Sequence, residues 1–293
     1  MSTIATLMRG SVDYAGMFPP AGLPFGRALD AYARYLAHPH AWMLGSLVMS
    51  SSVLAQVDAA AEGLARVPRL SIVLAGDFDT HLDVALTHAA AGRRHGRTTS
   101  IEVPPVPPAE ITSVATKLPG DVEAFFETPA DELLDARLDA IGVCGALAKL
   151  RAGGVSADAF PAPRQVYRVL RGCADRRICC KATAGLHHAI TGEYPLTYEA
   201  GSSRTRMYGF LNLCAAAGLA WAAAGEAAVT AALQDAAPAS FQFDADGWRW
   251  ATHRWSVHET AAIRQDLFGS FGSCSFDEPV GELTKLGLIE ERR

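Results

Sequence analysis

No two of the six cysteines, Cys144, Cys173, Cys179, Cys180, Cys214 and Cys274, stand at the C-x-x-C spacing of a metal or redox motif. Adjacent Cys179 and Cys180 would point to opposite faces of a strand, which suits small core residues. Charge is sparse and basic charge is in the minority: 26 basic against 31 acidic residues leave a net charge of -5, which excludes a broad nucleic-acid-binding face. The N-terminus lacks the apolar core of a signal peptide. The strongest membrane candidate, residues 210–225, is short, rich in Ala and Gly, and followed by Glu226; it reads as a helix packed on a core rather than a span. His258-Glu259 lacks the second histidine of the zinc-protease motif. No internal repeat or low-complexity linker interrupts the chain. These absences lead us to expect a cytoplasmic protein with reduced thiols and a small-molecule substrate, with no nucleic-acid or membrane partner. Homo-oligomerisation is left open.

What is present is a pair of lysines in strand-like runs that open onto glycine, Leu147-Ala-Lys-Leu-Arg-Ala-Gly-Gly154 and Ile178-Cys-Cys-Lys-Ala-Thr-Ala-Gly185. Lysine is rarely buried without a partner, and a desolvated amine gives up its proton readily and becomes a base or an imine former. The segment between the runs carries Val166, Val169 and Leu170 at helical spacing, so the three pieces form a parallel, right-handed strand–helix–strand unit. Alternation puts Leu147, Lys149 and Arg151 on one face, and Cys179, Lys181 and Thr183 on one face of the next strand.

The same pattern continues along the chain. Strands are expected at 12–17, 42–49, 70–76, 100–104, 122–127, the two lysine runs, and 207–213, with helices between them, for example over 25–37, 53–65 and about 79–91. Eight strands alternating with helices predict a closed (β/α)8 barrel of the TIM type, with an open doubly wound sheet as the runner-up. The chain's 293 residues suffice for one barrel (residues 1–237) plus a C-terminal extension (238–293). The extension reads as a hairpin turning at Asp246-Gly247, a helix over 257–268 and a tail. With the eighth strand at 207–213, removal of the residues after Phe268 is expected to leave the barrel standing.

In such barrels the carboxyl ends of the strands carry the chemistry. That face is expected to gather Asp13, Glu102, Glu127, Lys149, Arg151, Lys181, Thr183 and Asn212, with His187 and His188 on the loop beyond; Gly153, Gly154 and Gly185 would present backbone N–H groups to an anion. The alternative is a network of ion pairs that merely closes the barrel. The tail, Phe271-Gly-Ser-Cys-Ser-Phe-Asp-Glu-Pro279, either folds over the mouth and delivers Cys274, Asp277 or Glu278, or simply starts the last helix with Pro279 in its first turn. The long segment 189–206 reads as a lid.

Lys149-Leu-Arg-Ala-Gly153, followed by Lys181-Ala-Thr-Ala-Gly-Leu186, resembles the sixth and seventh strands of deoxyribose-phosphate-aldolase-like class I aldolases over roughly 40 of the 293 residues. The resemblance implies that Lys149 forms the Schiff base and Lys181 lowers its pKa; we further expect Glu102 or Glu127 to move protons, with no cofactor or resident metal. The chain departs from that pattern at Leu150 and Arg151, where the family has small hydroxyl residues, at Ala184 in place of a second glycine, and at His187-His188. Phe125-Phe-Glu-Thr-Pro129 together with the first lysine run also resembles enolase-superfamily barrels, but only about forty residues precede the second strand, too few for that superfamily's capping domain. We therefore expect a separate bacterial barrel family. The mechanism expected is aldolase-type lyase chemistry. The alternatives are a metal-dependent hydrolase or isomerase using Glu102, Glu127, His187 and His188, and a catalytically silent scaffold barrel whose mouth is filled.

Overall fold

A computed structural model describes residues 2–61, 66–91 and 96–290. In chain order the elements begin with α1 (Thr3–Met8), β1 (Val12–Tyr14), α2 (Phe25–Leu36), β2 (Leu44–Ser50), α3 (Val57–Ala61), β3 (Arg69–Val73) and α4 (Phe78–Ala91). They continue through β4 (Arg97–Val103), α5 (Pro108–Ala115), β5 (Glu123–Glu127), α6 (Leu134–Cys144), β6 (Leu147–Arg151), α7 (Pro163–Arg176) and β7 (Cys180–Thr183). A long insertion follows: β8 (Gly192–Pro195), β9 (Arg204–Met207), α8 (Phe210–Trp221), α9 (Glu226–Gln234), β10 (Phe241–Phe243), β11 (Gly247–Trp250), β12 (His253–Ser256) and α10 (Val257–Asp266). The last elements are β13 (Phe268–Ser273) and α11 (Asp277–Lys285).

The eight strands β1 to β7 and β13 close into a parallel barrel in which β13 lies between β7 and β1. This is the expected (β/α)8 architecture. Each helix earns its place by a buried stripe. On α7, Pro163 opens the helix with a fixed φ, Val166, Val169, Leu170 and Cys173 face inward, and Arg177 ends it in a left-handed turn. On α6 the left-handed residue that ends the helix is Gly145.

The eighth strand is not where alternation placed it. Residues 207–213 straddle the end of β9 and the start of α8, and the closing strand is β13, which the sequence reading had assigned to an appendage. A short apolar run does not by itself distinguish a strand from a fully buried helix. Here the Ala-rich continuation extends the helix back to Phe210, and α8 is buried over residues 210–220 because α7, α9, α10 and β13 surround it. Phe268-Gly-Ser-Phe-Gly-Ser273, by contrast, has weak strand propensity and takes its conformation from parallel pairing on both sides. The boundary at 237 therefore moves: the barrel needs residues 268–273, and removal of everything after Phe268 takes out the closing strand.

The hairpin at 241–250 is present, with Phe241 opposite Trp250, and gains a third strand, β12, with Trp248 opposite Trp255. Ser256 and Glu259 form a capping box at the start of α10, which accounts for the His258-Glu259 pair. Segment 189–206 contains β8 and the start of β9, which form a two-stranded arm. Among the described residues, no helix is long and apolar enough to cross a membrane.

Candidate functional site

Inside the barrel the strands present charge where most barrels present aliphatic side chains. Lys149 and Lys181 are direct cross-strand partners, and Glu127 pairs with Lys149 on the other side. Two-residue periodicity in three adjacent strands thus turns these side chains into the barrel interior. Asp13, Glu102, Lys149 and Lys181 are all buried.

The Lys181 ammonium lies 2.7 Å from Glu102 Oε1 and 2.8 Å from Asp13 Oδ2, and 5.0 Å from the centre of the Phe125 ring. Ser71 donates a hydrogen bond to Glu102 Oε1 at 2.8 Å, and Ser100 donates to Ser71. Asp13 accepts from the Ser46 backbone N–H and the Ser270 hydroxyl, both at 2.9 Å. Gly45 makes room for it, since a Cβ there would stand 2.3 Å from Asp13 Oδ1. Burial alone would lower the lysine's pKa, yet Asp13 and Glu102 drive it well above the ordinary range. Burial works against ionisation of Glu102 too, and Lys181 and Lys149 overcome it, bringing that carboxyl down to about 2.

Lys149 has a looser setting. Its Nζ lies 3.0 Å from Glu127 Oε2 and 3.5 Å from Glu102 Oε2. Arg151, half-exposed, holds the other Glu127 oxygen at 3.1 Å. Burial of Glu127 is outweighed by Lys149 and then Arg151, and its carboxyl stays below the usual range. Lys149 opens onto a cavity of about 220 Å3, also lined by Glu102, Arg151, Gly154, Thr183, Gly185, His187 and Cys274. Lys181 lies beneath this cavity and is sealed from it by its partners. Ala184 on the rim has a left-handed φ of 66° and is followed by Gly185 at 72°; a residue with a Cβ is strained in that conformation.

At the mouth a second group of side chains meets. His187 Nδ1 lies 3.1 Å from Glu278 Oε2 and 3.6 Å from Cys274 Sγ. Tyr198, at the tip of the β8–β9 arm, donates to Glu278 at 3.1 Å and lies 3.3 Å from Cys274 Sγ. Burial would lower the His187 pKa, but its contacts with Cys274 and Glu278 push it up to about 9.

Most of the expected site residues are thus assembled at one place. Asp13, Glu127 and Lys181 join through ion pairs rather than by facing the cavity. Gly153 packs against Phe160. Two expectations fail. Asn212 is in α8, where its amide bridges Thr191 N–H and the carbonyls of Ala232 and Asp235, because the strand assigned to it is a helix. His188 turns away from the cavity, stacks on Tyr194 and bonds Glu282 at 3.0 Å, as adjacent residues on an extended loop diverge. The ligand set Glu102, Glu127, His187 and His188 therefore does not converge. The tail is a wall strand rather than a flap; it ends at the mouth and still delivers Cys274 and Glu278, while Asp277 accepts a hydrogen bond from Tyr35. Sequence reasoning passed over Ser71 and Tyr198; the one signal for Ser71 was a lone hydroxyl in the apolar run Leu70-Ser-Ile-Val-Leu74.

Compared with protein-family models, curated proteins and solved structures, the chain matches none.

Proposed function

We propose that this barrel is a lyase of the class I aldolase type that forms an imine between Lys149 and a small carbonyl substrate carrying an anionic group. One observation supports this reading above the rest: of two lysines in direct register, Lys181 is sealed between two carboxylates, whereas Lys149 faces a cavity sized for a small metabolite. A scaffold barrel would have filled that space.

The division of labour follows from the contacts. The Lys149 ammonium hands a proton to Glu127, 3.0 Å away, and attacks the substrate carbonyl as the free amine; Glu127 relays that proton and a second one shed by the nitrogen to the carbonyl oxygen, which leaves as water. The resulting iminium takes up the electron pair of the carbon–carbon bond that breaks and becomes an enamine, while Glu127 accepts the hydroxyl proton of the fragment that leaves as a carbonyl; protonation of the enamine carbon and hydrolysis then release the second fragment and the Lys149 amine. Glu102, held ionised between two lysines, acts as a fixed negative charge rather than a proton carrier. Lys181 keeps Glu102 in place and contributes positive charge beneath the reacting amine. Arg151 and the backbone around Gly154 and Gly185 take the anionic end of the substrate.

Borohydride trapping with a panel of small aldehydes and ketones, read by mass spectrometry, tests this reading. A reduced adduct on Lys149, lost in Lys149→Met, is the expected result. Turnover of a substrate with no adduct on either lysine would exclude the mechanism.

A further inference from the structure

We infer that His187, Cys274 and Glu278 form a binding site for a soft divalent cation of the zinc type at the mouth of the barrel, with its remaining coordination position open to the Lys149 cavity. Among the described residues these three supply a nitrogen, a sulfur and a carboxylate oxygen that lie within 4.8 Å of one another. They come from three pieces of chain: the loop after β7, the end of β13 and the first turn of α11.

A cysteine, a histidine and a carboxylate in contact have two chemical uses, and the ring atoms distinguish them. In a nucleophilic triad the imidazole takes the thiol proton on one nitrogen while the carboxylate orients the other. Here Nδ1 is the nearer nitrogen to the thiol, at 3.6 Å against 3.9 Å for Nε2, and is also the nitrogen that meets Glu278 at 3.1 Å. One nitrogen facing both other donors is the arrangement a chelated ion requires. Bonds of about 2.3 Å to sulfur and about 2.0–2.1 Å to nitrogen and oxygen, at tetrahedral angles, place sulfur roughly 3.6 Å and oxygen roughly 3.3 Å from nitrogen. The nitrogen–sulfur separation of 3.6 Å and the nitrogen–oxygen separation of 3.1 Å need adjust by only tenths of an ångström, and the sulfur and oxygen, within 4.8 Å of each other, close on the ion from there.

The surroundings suit the ion. His187 and Cys274 are nine-tenths buried, so two of the donors are shielded from water. Sulfur and imidazole together select zinc over magnesium or calcium. A thiolate and a carboxylate balance a divalent charge, the protons on the Cys274 sulfur and on His187 Nδ1 leaving for solvent on binding. Tyr198 donates to the Glu278 carboxylate and orients it from outside the donor set. Three protein donors with an open fourth position are the mark of a catalytic rather than a structural zinc site. Because His187 and Cys274 line the same cavity as Lys149, a substrate oxygen there can take the fourth position.

The full-length protein, stripped with a chelator and titrated with cobalt(II), tests the site without reference to any substrate. One cobalt per chain is expected, with thiolate-to-cobalt charge-transfer absorption that zinc abolishes. Cys274→Ser should remove this absorption. Tyr198→Phe should retain it while weakening affinity about tenfold, and Glu278→Gln should weaken it further. Absence of the absorption in the wild-type protein, or its survival in Cys274→Ser, would overturn the site. Should Cys274→Ser not fold, unchanged affinity in Glu278→Gln would overturn it equally. Lys149→Met should keep the cobalt spectrum while losing imine trapping, which separates failure here from failure of the lyase reading.

Discussion

The floor of this barrel around Lys181 and its mouth around Lys149 are built from the same residue types, a lysine beside carboxylates, yet they differ in what those groups are free to do. At the floor, every charged group has two or more close partners: Lys181 is held by Asp13 and Glu102, Asp13 by Lys181, Ser46 and Ser270, and Glu102 by Lys181 and Ser71. At the mouth, Lys149 holds its carboxylates at longer range and borders open space. Saturation makes the floor a structural feature and under-saturation makes the mouth a reactive one. A buried charge is tolerated when its partners replace water; it becomes useful when one direction is left for a substrate.

Substitutions that break the floor should therefore cost more stability than those at the mouth. Lys181→Met leaves Asp13 buried without a counter-ion and Glu102 with Lys149 alone at 3.5 Å, and should destabilise the fold by about 3–5 kcal/mol in denaturant titration. Loss below 1 kcal/mol would mean that the floor carbons, not the charges, hold the strands.

Acid should undo the same floor. Glu102 has a folded pKa of about 2 against an ordinary value of 4.5, so its contribution is present above pH 4.5 and fades as pH falls toward 2. The expected loss is roughly 3 kcal/mol. In Glu102→Gln the slope of stability against pH over that window should flatten, and an unchanged slope would place the acid sensitivity elsewhere.

The mouth should yield more gently. Lys149→Met leaves Glu102 on Lys181 and Glu127 on Arg151, and should cost about 2 kcal/mol while removing imine trapping altogether. A cost equal to that of Lys181→Met would erase the distinction between the two lysines. The smallest effect expected is a gain: Ala184→Gly relieves the left-handed strain on the rim and should raise stability by about 1 kcal/mol. A loss would show that the Ala184 methyl packs well enough to outweigh its strain.

The two lysines were legible in the sequence because alternation is a strict rule and their runs are otherwise apolar; the same rule put Glu102 on the face of Ser100. Which carboxylate each lysine meets was not legible, since register across β4 to β7 is a property of the closed barrel. Asn212 was misplaced through the helix-strand ambiguity of an apolar run. β13 was missed because two glycines and two serines in six residues carry almost no strand signal of their own. The contact of Tyr198 with Glu278 joins segments some eighty residues apart, and no local pattern announces it.

Closure by β13 also orders events in time. Without the pairing of Val12 with Phe271 the first seven strands make only an open sheet with two edges, and the insertion between β7 and β13 separates that sheet in sequence from the strand that closes it. Non-local pairing of this kind slows folding and leaves edges exposed to other chains. The Lys181–Asp13 ion pair reaches across that last seam, from β7 past β13 to β1. It cannot form until the ring is shut, so the contact that seals the floor doubles as a latch that marks the end of assembly.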